Sequence, residues 1–177
     1  MLRRTIQAIL FVIAVSAAAL IQFSFLPALP AWPAAFNLVL VAAVFILFFF
    51  DFRPALVFAL LAGVWLDILA FNFFSFHILT LSLSVLVAYG ILRSWLTNRS
   101  LYAWLLLMAA ATISHEAVAG LLRYLFVYDG RSFFLFTATF WIQLLRQSAD
   151  NVGAALILFA LAAAATRRLR PFFLEPA

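Results

Sequence analysis

A chain of 177 residues that is 69% hydrophobic and only 10% charged, with a mean hydropathy of +1.20, is far more apolar than a soluble domain, where about 45–50% is usual. At about 20 apolar residues per crossing the length allows six or seven membrane spans at most and leaves no room for a soluble domain. The eleven basic residues, all Arg, outnumber six acids, a balance that positively charged cytoplasmic loops explain without nucleic acid, and the absence of Cys excludes thiolate metal sites and thiol catalysis.

The expected fold is an all-α integral membrane protein, because a lipid-exposed backbone must satisfy its own hydrogen bonds and the continuous apolar runs lack the alternation of a barrel. The first span is expected over about Thr5 to Leu26; at 22 residues it is longer than a signal-peptide core and is read as uncleaved. It ends at PALPAWP, whose prolines stop a helix and whose Trp32 suits the interface. The second span covers about Ala34 to Phe50. The third begins on Pro54, a favourable first helical position, and reaches about Phe71. The fourth covers about Phe74 to Leu92, and the fifth about Leu101 to Phe126, closing on the turn YDGR.

The last hydrophobic stretch, Phe133 to Ala165, is too long for one crossing, about 50 Å as a helix against a core of about 30 Å. Its polar residues Gln143, Arg146, Gln147, Asp150 and Asn151 recur at helical spacing. An interfacial amphipathic helix over about 133–147, followed by a sixth span over about 149–165, is therefore expected. Six spans with both termini cytoplasmic place eight of the eleven arginines inside. The whole chain is then one polytopic domain, with residues after the sixth span forming a short tail.

Ionisable groups within spans cost about 2.5–3.5 kcal/mol on insertion scales and are functional candidates. Ala59, Gly63 and Asp67 form a small-small-Asp stripe on the third span, of the kind that lets another helix come close. Thr112, His115, Glu116, Ala119, Gly120 and Arg123 share a face of the fifth, on which Glu116 and Arg123 are spaced to pair loosely. Asp150 and Asn151 open the sixth, and His77, Thr80, Ser84 and Ala88 make a milder face on the fourth. Each face is open to three uses: internal hydrogen bonding that fixes the bundle, docking of a partner's helix, or binding of a small polar ligand or proton.

Catalytic signatures are lacking. HEAVA begins like the zinc motif H-E-x-x-H, but Ala119 stands where the second His must be. AVAGLL lacks the serine of a nucleophile elbow, and no Gly-rich phosphate loop is present. No catalytic residue, cofactor or metal is expected. The 22 Phe read as lipid-facing filler.

The stretch FNLVLVAAVFIL followed by LLAGVWLDILAFNFFSFHILTLSLSVLVAYG, a short basic loop and further spans resembles the MreD family, the small membrane subunit of the bacterial rod-shape machinery. Gly63 and Asp67 match that family's Gly-x-x-x-Asp motif, Asn37 the polar residue opening its second span, and Asn151 an Asn often found at the start of its last span. The loop AFNFFSF lacks the family's usual glycine, and no proline follows Asn151. The resemblance implies a non-enzymatic scaffold in the bacterial cytoplasmic membrane, working with MreC, the MreB filament and the RodA-type glycosyltransferase with its transpeptidase. It implies that Ala59, Gly63 and Asp67 serve a helix contact, within the bundle or with a partner. The rival expectation is a substrate-binding subunit of an energy-coupling-factor vitamin transporter, which would line a pocket with His115, Glu116 and aromatic residues.

Overall fold

The computed structural model describes residues 2–28, 36–70, 76–96, 100–126 and 137–173, and the side chains of residues 2–4, 162, 163 and 165–173 are left aside. The turns around Trp32 and YDGR, the loop AFNFFSF and the start of the amphipathic stretch at Phe133 lie outside the described residues, wholly or in part.

Among those residues the fold is entirely helical: α1 (Leu2–Leu20), α2 (Leu38–Phe49), α3 (Phe52–Leu69), α4 (Phe76–Ser94), α5 (Leu101–Phe126) and α6 (Ala138–Phe173). α1 continues through a π-helical turn, Ile21–Phe25, into a short 3-10 turn, Leu26–Ala28. Among the described residues four segments are long and apolar enough to cross a membrane: Thr5–Ala28, Phe52–Leu69, Phe76–Ser94 and Leu101–Phe126. That is the character of a multi-pass membrane protein. α2 is apolar but has only 12 residues, about 18 Å against a hydrocarbon core of about 30 Å.

Two sequence expectations need correction. α3 starts at Phe52 rather than Pro54, because Asp51 caps it: the Asp51 Oδ1 accepts from the Phe52 N–H at 2.7 Å. Pro54 is tolerated in the first turn, where backbone N–H groups have no intrahelical partner anyway. The expected break between an interfacial helix and a sixth span is absent as well, since α6 is one helix of 36 residues. Nothing in Gln147-Ser148-Ala149 interrupts the backbone ladder, and α5 supplies an antiparallel neighbour along the same length. Asn151 meets Thr112, and Trp104 meets Ala155. The polar stripe is accordingly divided: Gln147 and Asn151 are buried in the bundle, while Gln143 and Arg146 are exposed.

The core is apolar and tight, formed by the inner faces of α2, α3, α4 and α5 with Val15 and Ala19 of α1 and Ala155 of α6. Its largest member is Trp104, fully buried, whose indole Nε1–H donates to the Ala155 carbonyl at 2.8 Å. Phe45, Phe48 and Phe49 of α2 pack against that ring with centroids 5.1–6.0 Å away. Such contacts add about 0.5–1.5 kcal/mol each beyond buried area. Phe48 is therefore core, and Phe45 and Phe49 are half-buried against it rather than wholly lipid-facing; at a run such as FILFFF, composition does not say which rings turn inward.

Candidate functional site: a buried polar layer at two helix starts

The polar residues of the bundle concentrate where α2 and α4 begin. A helix start leaves four N–H groups without intrahelical partners, and in a membrane protein other protein groups must satisfy them.

At α4 the partner is Asp67, on the last turn of α3. Its Oδ1 accepts from the His77 backbone N–H at 2.8 Å and its Oδ2 from the Ile78 N–H at 3.2 Å. The His77 ring Nδ1 lies 2.9 Å from Oδ1, a contact in which the histidine holds the proton when Asp67 is a carboxylate. A negative charge at a helix N-terminus is favourable for the dipole as well as for the hydrogen bonds. Gly63, one turn earlier, makes this approach sterically feasible. A Cβ at that position would lie 2.6 Å from the Ile78 Cα and 2.8 Å from its N. Ala59, Gly63 and Asp67 are all buried, and the stripe they form faces this chain's own helices.

At α2 the donors are met by neutral amides, two of them from distant parts of the chain. The Asn37 N–H donates to Asn151 Oδ1 on α6 at 2.9 Å. The Leu38 N–H donates to Gln22 Oε1 on the π-helical turn of α1 at 2.6 Å. The Leu40 N–H donates to Asn37 Oδ1 at 3.0 Å, an ordinary N-cap. Gln22 Nε2 also donates to the Phe36 carbonyl at 3.2 Å, and Asn151 Nδ2 to Thr112 Oγ1 at 3.1 Å. Asn37 and Asn151, noted separately in the sequence, thus meet across 114 positions.

The face of α5 is brought in only partly. His115 Nδ1 lies 3.1 Å from Glu116 Oε1, both side chains buried, and the buried Gln147 of α6 lies close to Glu116. The expected pairing of Glu116 with Arg123 does not form an ion pair among the described residues. Arg123 is near enough to act on Glu116 electrostatically, but its guanidinium lies over the Phe76 ring at 5.7 Å. Thr80 and Ser84 are buried and bond back to carbonyls of α4 itself, His77 and Thr80 respectively. Asp150 Oδ2 is buried without a hydrogen-bond partner among the described residues.

Between the two helix starts lies a cavity of about 220 Å³, lined by Gln22, Phe23, Pro27, Asn37, Leu66, His77, Leu81 and His115. Gln22 and Thr112 complete this layer, and sequence reasoning gave Gln22 no role. Its only signal was a lone amide in an apolar run; the π turn that aims it inward, a feature common at functional positions, is not encoded by any obvious residue. Among the described residues no group of three or more His, Cys, Asp or Glu is placed to hold a metal ion.

In comparisons with known proteins, no family model matches this chain, and no curated protein or solved structure is similar to it. The class the fold defines is a helical bundle with several helices long and apolar enough to cross a membrane and a buried polar layer.

Proposed function

We propose that this protein is a non-enzymatic membrane scaffold, an MreD-like subunit of the bacterial cell-shape and peptidoglycan elongation complex, seated in the cytoplasmic membrane with both termini inside. The observation that carries the reading is the use made of the polar residues. Asp67, Gln22, Asn37 and Asn151 fasten helix starts to neighbouring helices, so the chain's buried chemistry goes into holding a shape. The Gly63–Asp67 pair, which resembles the family's strongest motif, does this at the α3–α4 junction. In lipid, close packing and interhelical hydrogen bonds are what drive helix association, and a bundle fixed in this way offers stable outer faces to MreC and to the RodA-type synthase pair.

Purification of the tagged chain from its own host in a mild detergent tests the reading. Recovery of MreC, MreB or the RodA-type pair supports it, and recovery of ABC-type ATPases with a coupling subunit sinks it. In the same host, Asp67→Leu at normal protein level should abolish rod shape, and normal morphology would count against a scaffold role.

The cavity favours a second reading, the substrate-binding subunit of a vitamin transporter, since His115 and Phe23 line it. Glu116 is not among its lining residues and is engaged by His115 and Gln147. A small molecule retained through purification and identified by mass spectrometry would move the assignment to this class.

A further inference from the structure

α6 turns toward the outside of the bundle a face that lipid alone does not suit. With Asn151 opposite Thr112 and Ala155 opposite Trp104, Arg146 lies level with about residue 117 of α5 and Asp150 with about residue 113, midway along α5. Arg146 is then about 13 Å below the end of α5 at Phe126. Gln143 and Arg146 are exposed there. Neither Arg146 nor Asp150 has an ion-pair partner among the described residues, although they stand four apart on one helix, and Asp150 Oδ2 is both buried and without a hydrogen bond among those residues. A charged side chain within the hydrocarbon region of a membrane is costly unless another group answers it.

The same face is sterically open. Ala149 is exposed, and a Cβ added at Gly153 would meet nothing within 4 Å. Glycine inside a helix is unfavourable relative to alanine, and here no neighbour in the chain requires it. A small pair at i and i+4 admits the close approach of another helix backbone. Ile142, Leu145 and Ile157, all more than 60% exposed, provide an apolar rim. The Ala59–Gly63–Asp67 stripe offers no such surface, because α4 covers it.

We infer that this face of α6, centred on Arg146, Ala149 and Gly153, docks a single transmembrane helix of another membrane protein, one that carries an Asp or Glu facing Arg146. The inference rests on the scaffold reading and names the face and the partner's chemistry. Charge selects the occupant. Two copies of this chain share one orientation in the membrane, so a twofold pair along α6 would set Arg146 against Arg146, with Asp150 Oδ2 enclosed within each chain, and lipid tails carry no counter-charge.

The chain has no cysteine, so a single one is unique. Ala149→Cys, made in the full-length protein and treated with a bifunctional thiol-reactive photo-crosslinker in native membranes, should give one adduct. Its crosslinked peptide should be an apolar segment of about 20 residues with an Asp or Glu within one helical turn of the linked position. Val57→Cys, on an exposed part of α3, should give less than a tenth of that yield. Adding Arg146→Glu should lower the yield at least tenfold at unchanged protein level, and reversing the partner's acid to Arg should restore it. An adduct of twice the chain mass, a partner segment without an acid, equal yield from Val57→Cys, or indifference to Arg146→Glu would each overturn the inference. Recovery of MreC or the RodA-type pair with the wild type but no adduct at Ala149→Cys would overturn the face and leave the scaffold reading standing. An acid-bearing helix from a protein outside that machinery, with no co-purifying elongation protein, would keep the face and sink the scaffold reading.

Discussion

The first turns of α4 and α2 are both held by side chains of other helices, but by different chemistry and over different distances in sequence. α4 is held by one carboxylate ten residues before His77, delivered by a glycine that lets α3 and α4 touch backbone to backbone. α2 is held by neutral amides from α1 and α6, with the Asn37–Asn151 bond closing a separation of 114 residues. A charge serves several donors from a single side chain, so one substitution removes the whole arrangement. Distributed neutral caps fail one bond at a time, and each loss is smaller.

This contrast sets an order of damage, measured as thermal stability of the detergent-solubilised protein by fluorescence-detected size exclusion. Gly63→Val is expected to be worst. Its Cβ would meet backbone rather than a movable side chain, so α4 must shift, at a cost of about 3 kcal/mol or more. A folded Gly63→Val protein with unchanged Tm would show that the α3–α4 contact is looser than described. Asp67→Leu comes next, leaving the His77 and Ile78 N–H groups and the His77 ring without their acceptor, at about 2–3 kcal/mol.

His77→Ala sharpens the comparison, since it removes the ring contact and keeps both backbone caps. It should cost less than half of Asp67→Leu; an equal loss in Tm would mean that the ring, not helix capping, is the main use of Asp67. At the other helix start, Asn151→Leu strips an acceptor from the Asn37 N–H and a donor from Thr112, and about 1–2 kcal/mol is expected. Asn37→Ala should cost least, about 1 kcal/mol, the usual loss of an N-cap side chain. If Asn37→Ala or Asn151→Leu proves more damaging than Asp67→Leu, the neutral junction is the stronger of the two.

That Gly63 and Asp67 mark a helix contact was legible in the sequence for a physical reason, whereas the capping of α4 by Asp67 was not. Gly63 and Asp67 sit one helical turn apart, and a charge within an apolar stretch stands out because it is expensive there. Asn37 was marked only by the resemblance to the MreD family, as the match to the polar residue that opens that family's second span. Gln22 was not marked at all, because its role depends on a π-helical turn that brings the amide to the start of α2. The division of the last stretch failed for a related reason. Periodicity at Gln143, Arg146, Gln147, Asp150 and Asn151 reports that one side of the helix is polar, and does not say whether that side meets water, lipid or another helix. The structure sends Gln147 and Asn151 inward and leaves Arg146 outside.

The sequence by itself determined that the chain is helical and apolar enough to cross a membrane several times, and located α3, α4 and α5 to within about two residues at each end. Those properties follow from composition and from backbone hydrogen bonding in lipid, which are local or additive along the chain. Tertiary structure decided which of the polar groups meet. Asp67 with the start of α4, Gln22 and Asn151 with the start of α2, and Trp104 with the Ala155 carbonyl are contacts between helices. They depend on helix rotation and depth, to which hydropathy is blind.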